Sequence, residues 1–215
     1  MNRPAITATN HSTAFDEQTL EEIANAISKH GYIILPNVLR TDLFERLRQR
    51  AKAFTSSEWK AAGIGRNNAH HLDKQLRSDS IHWITDRHPS EVDFMALMES
   101  LRIGLNRRLF LGLFNFEAHF SKYPAGAFYV KHIDALKGRS NRVLSAVYYL
   151  NADWQLDDAG ELLIYPETGK EPIERVLPKG GTLVLFESVR FPHEVLKANR
   201  TRFSIAGWFR VNENN

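Results

Sequence analysis

Asn141-Arg142-Val143-Leu144-Ser145-Ala146-Val147-Tyr148-Tyr149-Leu150-Asn151 alternates between two faces. Val143, Ser145, Val147 and Tyr149 fall on one face; Leu144, Ala146, Tyr148 and Leu150 fall on the other. That period of two is what a β-strand imposes. Working outward, residues 161–165 read as a further strand. Pro178-Lys179-Gly180-Gly181 is a turn signal leading into a strand over 182–187, and residues 202–211 close the set. Short strands separated by turns suggest a sandwich or barrel.

Upstream of about residue 114 the period is 3.6. Leu20, Ile23, Ala24 and Ile27 recur at helical spacing behind Asp16 and Glu17, and Gly31 stands where a C-terminal cap belongs. The run Tyr32-Ile33-Ile34-Leu35 stops at Pro36 and reads as a strand. Thr41 is placed to cap a second helix with Phe44, Leu47, Ala51 and Phe54 on one face. Gly63, Gly65, Asn67-Asn68 and His70-His71 break all periodicity, so 56–78 reads as a long, functional loop. A third helix begins near Pro89-Ser90-Glu91 and turns Phe94, Leu97, Met98, Leu101 and Leu105 inward. Helices first and strands second predict an α+β fold: a double-stranded β-helix (jelly-roll, cupin-like) core with the N-terminal helices packed on one sheet. One domain is expected over 1–215. Residues of about 1–113 are mainly helical support and a lid loop, and those of about 114–211 form the jelly-roll core with the site.

The 215 residues suffice for one ordinary core. Lys and Arg exceed Asp and Glu by three, too little to imply an acidic partner. There is no cysteine, which removes disulfides, thiolate nucleophiles and Cys-held zinc or iron–sulfur sites. Any metal must therefore be held by His, Asp or Glu. No run approaches the length of a membrane span, and Met1-Asn2-Arg3-Pro4-Ala5-Ile6-Thr7 lacks the apolar core of a signal peptide. A cytoplasmic location with no membrane partner is expected.

His132-Ile133-Asp134 follows the apolar Phe128-Tyr129-Val130 and precedes a glycine-containing loop, which sets it at a strand end. Residues i and i+2 of a strand share a face, so imidazole and carboxylate would lie side by side. On its own the triplet also fits an exposed polar turn. His193, in Phe191-Pro192-His193-Glu194-Val195, follows the strand at 182–187. Two histidines and a carboxylate compose the facial triad of non-haem Fe(II) oxygenases, which leaves coordination positions open, although zinc accepts the same ligands. Arg202 shares a strand face with Ser204, Ala206 and Trp208, and no acid lies on that strand before Glu213. A guanidinium on an interior face needs an anion, which a bound dicarboxylate would supply; at a strand end it would simply reach solvent. Tyr149 would bury its hydroxyl unless a polar partner meets it.

Taken together these stretches resemble the prolyl-hydroxylase branch of the 2-oxoglutarate/Fe(II)-dependent oxygenases, especially the oxygen-sensing hydroxylases of animals and their bacterial relatives. The matching segments are Tyr123-Pro124-Ala125-Gly126, Tyr129-Val130-Lys131-His132-Ile133-Asp134, Val147-Tyr148-Tyr149-Leu150-Asn151 with Asp153-Trp154, and Gly160 to Tyr165-Pro166-Glu167. They continue in Pro192-His193-Glu194-Val195 and Thr201-Arg202-Phe203-Ser204-Ile205 to Trp208. Gly31-Tyr32-Ile33-Ile34 and Arg77-Ser78-Asp79-Ser80-Ile81-His82-Trp83-Ile84 also match, so the resemblance spans most of the chain.

The resemblance implies that His132, Asp134 and His193 are the catalytic iron ligands. Arg202 would pair with the distal carboxylate of 2-oxoglutarate, Tyr149 would donate its hydroxyl to the same group, and Tyr123 would lie near the cosubstrate's other end. Tyr129 and Trp208 would line the substrate entrance or the iron pocket, where ordinary packing is the competing account. The implied enzyme is a dioxygenase of the procollagen-proline or peptidyl-prolyl 4-hydroxylase type. It would use Fe(2+), 2-oxoglutarate and O2, with ascorbate as an accessory, and hydroxylate a prolyl residue in a protein while releasing succinate and CO2. By the same resemblance the first candidate target is elongation factor Tu. The segment Lys60-Ala61-Ala62-Gly63-Ile64-Gly65-Arg66-Asn67-Asn68 has no close match in the family, and Arg66 and Lys74 are candidates to meet an acidic protein surface. Competing readings are the same chemistry on a small molecule, another amino-acid residue or nucleic acid, and a non-catalytic 2-oxoglutarate-sensing jelly-roll. A metal-dependent hydrolase lacks a general-base carboxylate beside the triad. Nucleic acid is not expected, because Arg46, Arg48, Arg50, Arg107 and Arg108 sit on helices without interleaved aromatics and read as solvated faces.

Overall fold

Two β-sheets face each other, and three helices cover the outer side of the larger one. The computed structural model describes residues 14–63, 75–135 and 140–212. In chain order the elements are α1 (Glu17–His30), β1 (Tyr32–Leu35), α2 (Thr41–Ala53), β2 (Lys60–Ala61), β3 (Ser80–Trp83) and α3 (Pro89–Leu109). The strands β4 (Asn115–Tyr123), β5 (Tyr129–His132), β6 (Arg142–Tyr149), β7 (Leu162–Ile164), β8 (Glu174–Val176), β9 (Leu183–Glu187), β10 (His193–Val195) and β11 (Arg202–Arg210) follow. The larger sheet runs β1-β9-β6-β11-β4-β3-β2 and the smaller β5-β10-β7-β8. This is the expected α+β jelly-roll. Among the described residues no helix is long and apolar enough to cross a membrane.

The alternation along β6 separates two cores. Leu144, Ala146 and Tyr148 pack with Leu20, Ile23 and Ile27 of α1, Leu47 of α2, and Leu101 and Leu105 of α3. Tyr149, with Val147 packed beside it, joins Val184, Phe186, Leu162 and Ile164 in the second core, between the sheets. The larger sheet is thus buried on both faces, one by helices and the other by the smaller sheet. The second of these spaces holds the site.

Local signals explain the supports. Asp16 caps α1 by accepting from the Thr19 N–H at 2.7 Å, and Gly31 ends it in the left-handed conformation at φ 81°, which glycine adopts without steric cost. Gly104 lets α1 and α3 approach: a Cβ there would stand 2.5 Å from Leu20 Cδ2. Thr41, expected as a cap, is instead the first helical residue of α2. Arg40 holds the cap position without a side-chain capping bond, and its guanidinium instead donates to the Asp42 carboxylate in the first turn at 2.8 and 2.7 Å. The expected loop over 56–78 is interrupted by β2, which pairs with β3. Arg66 and Lys74 lie outside the described residues. The arginines read as solvated are largely ion-paired. Arg46 bonds Asp93, Arg108 bonds Glu17 and Glu21, and Arg50 clamps the fully buried Glu91 at 2.8 Å, tying α2 to α3.

Candidate active site

His132 ends β5, His193 begins β10, and the two are direct register partners across the smaller sheet. A shift in register between His193 and Val195 follows at once. Sharing one strand face was the sequence expectation for His132 and Asp134. The structure differs: β5 stops at His132, and Asp134 lies two residues past it on a bend. The turn carries the carboxylate to both rings, with Oδ1 3.6 Å from His132 Nε2 and Oδ2 3.6 Å from His193 Nε2. One donor atom from each residue lies within 4.8 Å of the others.

Neighbouring groups prepare these donors. His132 Nδ1 lies 2.8 Å from the Val130 carbonyl and His193 Nδ1 3.0 Å from the Phe191 carbonyl. A carbonyl only accepts, so each Nδ1 carries the hydrogen and each Nε2 keeps its lone pair toward the centre. Ser145, on the inner face of β6, donates to Asp134 Oδ2 at 2.6 Å; Ser188 in turn lies 2.9 Å from the Ser145 oxygen. Burial pushes the His193 imidazolium down to about 4. For Asp134 burial acts in the opposite sense, but the facing imidazoles and Ser145 outweigh it and hold the carboxyl well below the usual range. Two nitrogen lone pairs and one carboxylate converge, a set suited to a divalent first-row metal.

Deeper in the same space Arg202 is 1% exposed, and its Nε has no hydrogen-bond partner. Its guanidinium carbon lies 5.0 Å from the ring centres of both Tyr123 and Tyr149. The Tyr149 hydroxyl is also buried without a partner, and burial raises its pKa, so it stays a neutral donor. A buried guanidinium with an unbonded Nε, and with no carboxylate ion-paired to it among the described residues, is costly unless an anion meets it and the neighbouring phenol, and a small carboxylate fits that need.

A cavity of about 630 Å³ joins these groups, reaching the triad, Tyr123, Arg202, Tyr129 and Trp208. Tyr129 stacks on His132 with ring centres 3.6 Å apart, and Trp208 lies under the Arg142 guanidinium at 3.5 Å. His132, Asp134, His193, Arg202, Tyr123, Tyr129 and Trp208 therefore share one space; Tyr149 does not line it and meets it only through Arg202, whose guanidinium carbon is 5.0 Å from the Tyr149 ring centre. Ser145, Arg77, Trp83, His119 and Arg142 line it too, without an assigned role from sequence. Ser145 was legible as a polar residue on the inner face of β6. His119 had only the antiparallel register of β4 with β11, His119 opposite Ala206, to place it there.

The sequence model of the 2OG-Fe(II) oxygenase superfamily matches residues 118–210. Egl nine homolog 1 of Rattus norvegicus is 31% identical over 199 residues, covering 88% of this chain and 58% of its own length. The chain spans about half the length of the Egl nine homologs it matches. A crystal structure of a Pseudomonas putida prolyl-4-hydroxylase superposes with a TM-score of 0.81 at 36% identity, over 90% of this chain and 99% of that one. A Trichoplax adhaerens prolyl hydroxylase in complex with a hypoxia inducible factor peptide fragment gives 0.80 at 27% identity, over 90% of each chain.

Proposed function

Because this chain belongs to the 2OG-Fe(II) oxygenase superfamily and is homologous to the Egl nine prolyl hydroxylases, we propose that it hydroxylates a prolyl residue of a protein target. The family implies Fe(2+), 2-oxoglutarate and O2. The observation that carries the reading is one cavity lined by the converging donors of His132, Asp134 and His193 and by the buried Arg202, with the Tyr149 ring against that guanidinium. When bound, the iron supplies oxidative chemistry in which 2-oxoglutarate and O2 become succinate and CO2 while one oxygen atom enters a prolyl C–H bond.

The chain's own residues bind, orient and shield. His132 and His193 present Nε2, Asp134 supplies the negative charge, and Ser145 keeps one carboxylate oxygen in place. Arg202 and Tyr149 take the distal carboxylate of the cosubstrate, and Tyr123, its ring centre 5.0 Å from the Arg202 guanidinium carbon, lies toward the cosubstrate's other end. A divalent ion, the dianion, Asp134 and Arg202 neutralise one another, so no net charge is left in the dry interior. Tyr129 and Trp208 border the space where a prolyl ring would sit against apolar surface.

For the target we propose elongation factor Tu, on the resemblance to bacterial relatives alone, with both proteins in the cytoplasm and ascorbate as an accessory reductant. The test is incubation with iron, ascorbate, 2-oxoglutarate and purified elongation factor Tu, followed by peptide mass spectrometry. The reading expects the mass of one oxygen on a proline, absent without 2-oxoglutarate. Succinate formation without that product would retain the chemistry and remove the target; an oxygen on a different residue type would replace the prolyl reading.

A further inference from the structure

Resting on that assignment of His132, we propose that Arg77 and Tyr129 form a positioning stack for the His132 imidazole, so that an ion pair outside the triad helps to set its hold on metal. Asp79 is 3% exposed and receives two parallel bonds from Arg77, Nε to Oδ1 and Nη2 to Oδ2, each 2.7 Å. Arg77 Nη1 also reaches the Gly63 carbonyl at 3.3 Å. Burial opposes the Arg77 charge, yet Asp79 holds its pKa above the ordinary arginine value. A guanidinium held at three points is a rigid plate.

That plate lies over Tyr129, its carbon 4.3 Å from the ring centre. Tyr129 in turn stacks on His132 at 3.6 Å and 16° between planes. So close a contact leaves no room for a guanidinium on the same side, so Tyr129 is sandwiched between Arg77 and His132. The backbone reinforces the alignment: Arg77 and Tyr129 form a β-bridge, Val130 N–H donates to Leu76 O at 2.9 Å, and Ser78 N–H donates to Phe128 O at 3.1 Å. β5 therefore has β10 on one edge and the Arg77 segment on the other.

The bond from Nδ1 to the Val130 carbonyl fixes one atom of the His132 ring, and the ring can still rock about it. A flat contact over the whole face removes that freedom. The need is greater at His132 than at His193, whose side chain is 7% exposed against 17% and which Phe186 meets edge-on at 4.7 Å. The electron-rich tyrosine face also favours an imidazole made more positive by a metal.

Mn(II) is the probe, because binding can be followed by electron paramagnetic resonance of the free ion without turnover. Tyr129→Phe keeps the ring; Tyr129→Leu removes it and leaves the ion pair; Arg77→Met with Asp79→Asn removes the ion pair without stranding a charge. The proposal expects Tyr129→Phe to bind Mn(II) as the unsubstituted protein does, and the other two variants to bind about tenfold more weakly. At saturating Co(II), the visible bands should shift in Tyr129→Leu and not in Tyr129→Phe, which loosened packing elsewhere would not produce. Equal Mn(II) affinity and equal Co(II) spectra for Tyr129→Leu and Tyr129→Phe would overturn the stack and leave the triad standing. Mn(II) binding that survives His132→Ala undiminished would instead remove the triad assignment.

Discussion

Arg202 and His119 are two buried cations-in-waiting with opposite treatments. Arg202 cannot lose its proton, so the fold keeps a place for an anion beside it. Arg202→Ala is expected to raise the KM for 2-oxoglutarate by about 10- to 100-fold, from a charge-assisted contact of roughly 1.5–3 kcal/mol. Mn(II) affinity measured without cosubstrate should stay unchanged. His119 is held neutral: burial first, then Arg77 and Arg142, push it down to about 4 against the pull of Asp79 and the Phe120 carbonyl. Its folded pKa is below its unfolded value near 6.5, so its contribution is complete above that value and lost as pH falls toward 4. The loss is on the order of 3 kcal/mol. Urea titrations of metal-free protein should show stability falling over that window, and His119→Met should make the fall shallower.

Among the elements, α2 and α3 are joined by a polar clamp inside an apolar layer. Glu91 is fully buried and accepts from Arg50 at 2.8 Å and from the Thr85 N–H at 2.8 Å. Arg50→Met strands that carboxylate and should cost about 3 kcal/mol in urea unfolding, most of it recovered when Glu91→Gln is added. A full cost retained in the double variant would show that Arg50 acts through its packing on Phe54 instead. The clamp was invisible in the sequence because its partners are on different helices and each alone looks like an ordinary surface charge. The helices and β6 were legible, since period and caps are local. β10 was not: three residues are too short to show a period, and its pairing with β5 and β7 is long-range. Asp134 was legible as a partner of His132 by chemistry, but the bend that aims it was not.

At the scale of the molecule, the site lies where two sheets face each other, so occupancy and stability are linked. Mn(II) at about 100 times its Kd should add roughly 3 kcal/mol, or about 5–10 °C in Tm for a domain of this size. Adding 2-oxoglutarate should raise Tm again, and Arg202→Ala should remove only the second increment. The family reading followed from residues in order and spacing; Trp83 entered the site through the pairing of β3 with β4, His119 through that of β4 with β11, and Arg77 through its bridge to Tyr129. One consequence belongs to the direct pairing of His132 with His193. A strand displaced by one residue turns its side chains to the opposite face. A chain with β10 slipped against β5 would thus look nearly complete yet offer one imidazole where two are needed. Metal uptake would then act as proofreading, admitting to service only those molecules whose smaller sheet has closed in the correct alignment.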